Sequence, residues 1–153
     1  MTAQTPEVLF YHLNEHPLER VLPSLLEKTI ERGWRAVVKS GDRERLEAID
    51  TLLWTFSDDR FLAHGTMADG NSEHQPIYLT CDDDVPNGAG VMFLIAGASV
   101  SSCDGFVRVV HLFDGHDEAA LDEARAEWKR ASGQGLSCTY WQQDENGRWT
   151  KKA

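Results

Sequence analysis

Two strand-and-helix pairs stand in tandem at the start of this chain, and they restrict its fold more than any other feature. Residues 7–12 (EVLFYH) form a short apolar and aromatic run of strand type, after which Leu18, Val21, Leu22, Leu25, Leu26 and Ile30 recur at helical spacing. The cycle then repeats. Residues 35–39 (RAVVK) read as a strand, Ser40-Gly41-Asp42 as a turn and cap, and Leu46, Ile49 and Leu53 as one helical face. A helix between two strands carries the chain back across a sheet, so such pairs build parallel sheets with helices on their faces. Residues 77–80 (IYLT) and 91–96 (VMFLIA) look like buried strands, and 106–113 (FVRVVHLF) like a third. A capped helix over 117–131 and a last strand over 136–142 (LSCTYWQ) complete the alternation. The pattern predicts an α/β chain folded as a three-layer α/β/α sandwich around a largely parallel sheet, one domain over residues 1–153.

Pro17 is suited to open the first helix, and Gly33 to close it. Pro23 lies inside the apolar pattern, which predicts either a kink or a true start after a preliminary turn. Asn146-Gly147, after the last strand, is a dipeptide that favours type I′ turns and predicts a terminal hairpin. The stretch CDDDVPNGAG between two strands reads as an exposed acidic turn region.

With 41% hydrophobic and 26% charged residues, 153 residues are enough for a conventional core without staples. The net charge of −10 repels phosphate on average and argues against broad, direct nucleic-acid binding. Cys81, Cys103 and Cys138 are odd in number and lack CxxC spacing, so a reducing cytoplasm fits better than a disulfide framework. The chain shows neither an apolar run of membrane-span length nor the charged and apolar regions of a signal peptide, so a cytoplasmic location is expected.

A sheet of this kind invites a nucleotide-binding or hydrolysing reading, but GxGxxG and GxxxxGK[ST] are both missing. Asp42 puts a carboxylate where a phosphate would need a donor, and Pro86-Asn87-Gly88-Ala89-Gly90 precedes a strand rather than a helix. The six histidines form no HExxH or paired motif, and Asp82-Asp83-Asp84 lacks the alternating ligands of a calcium loop, so no metal and no cofactor are expected. No GxSxG or cysteine-protease signature surrounds a candidate nucleophile, and the chain is expected not to be an enzyme.

Two aromatic constellations remain. Trp54, Phe56 and Phe61 cluster around the end of the second helix, either stapling a loop to the core or anchoring a partner. On the last helix Arg125, Trp128 and Lys129 are spaced i, i+3 and i+4 and share a face suited to an acidic peptide with an aromatic end. Leu121, Ala124 and Trp128 also make a core stripe, and Asp122 is placed to pair with Arg125; spacing alone favours that structural reading.

Taken together, FYHLNEHPLERVLPSLLEKTIERGWRAVV, RLEAIDTLLWTFSDDRFLAHG, VVHLFDG, EARAEWKRASGQG and TYWQ resemble the chi subunit family of bacterial DNA polymerase III across nearly the whole chain. The resemblance implies a clamp-loader accessory protein with a nucleotide-binding-like fold and no phosphate loop. It implies two partners: the psi subunit or another clamp-loader part, at Trp54 and Phe61, and the acidic C-terminal tail of single-stranded DNA-binding protein, at Phe113, Arg125, Trp128 and Lys129. In the family-like segment Leu53-Trp54, Phe61, Ala63-His64, Ala63 stands where a proline is often expected before the histidine, and Trp128 stands where a tyrosine is found in relatives.

Overall fold

The computed structural model describes residues 6–14, 16–55, 64–99, 103 and 105–152. Among them are eight strands and three α-helices: β1 (Glu7–Leu13), α1 (Leu18–Glu31), β2 (Ala36–Ser40), α2 (Arg43–Thr55), β3 (His64–Gly65), β4 (Ile77–Thr80), β5 (Val91–Ile95), β6 (Arg108–Asp114), α3 (Glu118–Gly133), β7 (Ser137–Gln143) and β8 (Trp149–Lys151). The strands make one open sheet in the order β3-β4-β2-β5-β6-β1-β7-β8. Every pairing is parallel except β7 with β8, as the alternating pattern requires.

The two faces of the sheet are covered differently. Odd-numbered β1 residues Leu9 and Leu13, with Val38, Leu79, Phe93 and Leu112, pack against Leu22 and Leu26 of α1 and Ile49 and Leu53 of α2. The alternate residues point the other way. Val8 and Phe10 pack against Ala124 and Ala131 of α3, while Val37, Tyr78, Met92 and Leu94 are met by Val85, Ala98 and Phe106 from the connecting segments. The sandwich is three-layered, with two helices on one face and one on the other.

α1 runs unbroken from Leu18 through Pro23, so the expectation of a late start does not hold. Pro23 is early enough that its missing N–H leaves only Glu19's carbonyl without an intrahelical donor, and the ring is buried in the core. Pro17 serves as N-cap rather than first helical residue, its carbonyl accepting from Arg20 and Val21. At the other end Gly33 takes φ +84° and donates to Ile30, closing the helix as expected.

The terminal hairpin forms, but not through a type I′ turn. Only Gly147 has a positive φ (+76°), whereas that turn needs one at Asn146 as well. The Asp144 carboxylate instead accepts from the N–H groups of Asn146 at 2.8 Å and Arg148 at 2.9 Å, organising a longer loop.

Candidate functional site

Strand register assembles a patch that no single segment contains. β6, β1 and β7 are adjacent, and their pairing sets His111, Phe10 and Tyr140 in one row and Phe113, His12 and Gln142 in the next. Both rows lie on the face that α3 covers. The His111 and Phe10 rings stack at 4.7 Å and 4°, and Phe113 lies 5.4 Å from His12 and 6.0 Å from Tyr140.

α3 starts where Asp117 accepts from the N–H groups of Ala119 and Ala120, which fixes the helix over the ends of these strands. Ala124 and Ala131, seven residues apart and both buried, let the backbone approach the sheet. Trp128 falls between them on the same stripe. Its ring is half-buried, 5.4 Å from Phe10 and 6.2 Å from Tyr140. The core-stripe reading is thus correct for the inner edge of Trp128, while its neighbours Arg125 and Lys129 are exposed. Asp122 does reach Arg125, at 3.5 Å, between two side chains more than two-thirds exposed, a geometry that holds little energy. Lys129 has no ion pair among the described residues.

The structure therefore brings Phe113 and Trp128 to a common neighbour, Tyr140, with Arg125 close enough for its charge to act on both Tyr140 and His12. Burial raises the Tyr140 hydroxyl above the usual tyrosine range against that charge. Burial, then His116, then Arg125 lower His12, with Asp114 opposing. His111, deeper and near the Arg130 cation, is pushed down to about 4, burial being the larger cause. These two histidines are neutral at physiological pH, so Arg125 and Lys129 provide the patch's fixed positive charge. What the sequence reading missed is the sheet floor of the patch, Phe10, His12, His111 and Tyr140. The period-two alternation of FYH and the aromatic pair in TYW carried the signal, but strand order was needed to join them.

Trp54 occupies the last turn of α2, which packs with α1 on the opposite face of the sheet. It is 57% exposed, with its ring 4.8 Å from that of His64. His64 is itself buried, its Nε2 3.0 Å from an Asp50 carboxylate oxygen. Phe61, expected beside Trp54, lies outside the described residues.

A cleft of about 890 Å³ opens at the ends of β1, β5 and β6, where doubly wound sheets hold nucleotide phosphates. Here Asp114, Asp117, Glu19, Glu123 and Glu127 line it, and the N-terminus of α3 is occupied by the carboxylate of Asp117. Such a lining repels phosphate. No group of three or more metal-ligating side chains occurs among the described residues.

Residues 5–139 match the family described as "DNA polymerase III chi subunit, HolC". The chain is also 25% identical over 150 residues to a protein of Rickettsia prowazekii (strain Madrid E) named "Probable DNA polymerase III subunit chi", the match covering 94% of this chain and 90% of that one.

Proposed function

Because the chain belongs to the family of DNA polymerase III chi subunits, whose work is DNA replication, we propose that it is a non-catalytic accessory subunit that tethers the clamp loader to single-stranded DNA-binding protein. The acidic C-terminal tail of that protein is the ligand of the α3 face. Phe113 and Trp128 receive the tail's aromatic end, and Arg125 and Lys129 meet its carboxylates. The observation that carries this reading is the pair of exposed cations flanking a half-buried Trp128 on an aromatic floor. Trp54, on the other face, is the anchor for psi or another clamp-loader part, together with Phe61. Opposite faces allow both partners to be held at once. A weak contact per tail then becomes useful, because coated single-stranded DNA displays many tails and the polymerase assembly keeps the subunit near them.

The test is fluorescence anisotropy of a labelled tail peptide from the same organism. Saturable binding that weakens with salt is expected for the wild type, and Arg125→Ala or Lys129→Ala should each cost about 1.5–3 kcal/mol, the size of a charge-assisted contact. Unchanged affinity in both variants would overturn the assignment.

A further inference from the structure

His12 closes the α3-facing side of β1 and is held from three directions. Its Nδ1 lies 2.7 Å from the Tyr140 hydroxyl. Its ring meets those of Phe113 at 5.4 Å and Tyr140 at 5.9 Å. On the third side a Cβ at position 115 would stand 1.9 Å from Nε2 and 2.8 Å from the Leu13 carbonyl oxygen, so the imidazole occupies space that only glycine leaves open. The ring is fixed, with Nδ1 turned to the aromatic wall and Nε2 against the turn. The charged and titratable groups around it are Arg125 from α3, Asp114 at the end of β6, His116 from the turn that follows, and Tyr140 from β7.

Resting on the reading that an acidic tail docks beside Arg125, we propose that His12 is the proton-accepting member of that site: when a peptide carboxylate docks, the imidazole takes up one proton and turns the Tyr140 hydroxyl toward the ligand. With the hydrogen of the neutral imidazole on Nε2, Nδ1 accepts from the Tyr140 hydroxyl 2.7 Å away, and this uses the only hydrogen the hydroxyl has to give. With a proton from solvent on the ring, Nδ1–H donates to the Tyr140 oxygen instead. The hydroxyl hydrogen is then released to donate to the carboxylate. Burial, then His116 and Arg125, hold the titration of the free imidazole low, and an incoming anion offsets the charge of Arg125. The site thus holds a proton more firmly with the peptide bound than without it. By linkage, affinity rises as pH falls through the interval between the two titrations, by at most about tenfold per pH unit for a single proton.

Anisotropy with the tail peptide at pH 7.5 and pH 6.0, joined to calorimetry at pH 6.5 in two buffers of different ionisation enthalpy, tests this. The wild type should bind about three- to tenfold more tightly at the lower pH and take up a proton fraction that both methods agree on. His12→Gln should lose the tightening between pH 7.5 and pH 6.0, whatever its affinity at pH 7.5, a readout that a purely structural role would not remove. Proton NMR of the His12 ring in the unmutated protein gives the same answer without a variant: its titration should move to higher pH when peptide is added. If the wild-type protein binds the peptide with no proton uptake and an unmoved His12 titration, this proposal fails while the tail assignment stands. If the wild type does not bind the peptide at either pH, the tail assignment falls and the proposal with it.

Discussion

The two faces of this sheet solve different problems. The face under α1 and α2 is sealed by aliphatic side chains, with Leu22, Leu26 and Ile49 wholly buried. The face under α3 is covered by one helix and connecting segments, and His12, Phe113 and Tyr140 stay partly exposed there beside the buried Phe10 and His111. Two helices side by side exclude water from the sheet beneath them; a single helix crossing β6 and β7 leaves wet aromatic edges on its flank. Rings that keep one edge in water beside exposed cations are ready for a ligand. Stability and the proposed recognition are thereby separated by the thickness of one sheet.

The largest effect is expected from attacking the sealed face. Leu26→Ala, at a fully buried site, should destabilise the protein by about 2.5–5 kcal/mol in urea unfolding while leaving the tail affinity of the folded fraction unchanged. A parallel loss of affinity would show that the two faces are not independent.

Next comes the titration of the open face. His111 sits near 4 in the folded protein, below the ordinary 6.5, so the unfolded chain binds the extra proton first and stability is lost as pH falls from about 6.5 toward 4. The contribution is roughly 3 kcal/mol, taken from the size of that interval. Unfolding measured between pH 7.5 and 4.5 should slope downward, and His111→Gln should flatten the slope; an equal slope in the variant would assign the loss to other groups.

The smallest stability effect belongs to Trp54. Its removal by Trp54→Ala should change unfolding by less than about 1 kcal/mol, since most of the ring is in water, yet abolish capture of the clamp-loader partner in a pull-down while tail binding persists. A large drop in stability would instead make Trp54 a clamp on His64.

Sequence periodicity made most of the elements legible, because a long run at period two or 3.6 leaves a pattern. β3 has two residues and therefore no period, and it escaped. The hairpin was visible in Asn146-Gly147, but its loop was decided by the Asp144 side chain, which competes with the dipeptide's own preference. Arg125, Trp128 and Lys129 were legible as a group since one helix carries all three. His12 and Tyr140 were not, because they meet only when β1 is flanked by β6 and β7, a fact of topology that local preferences do not encode.

That topology also dates the site. β1 leaves the ribosome before either of its sheet neighbours, β6 and β7, and His12 and Tyr140 are 128 residues apart. At about 5–20 residues per second, β1 waits several seconds for partners that nearer segments cannot supply. A chain cut before β7 lacks Tyr140 and so has no complete aromatic floor. The aromatic floor of the α3-facing patch is thus assembled only once β7 has been made.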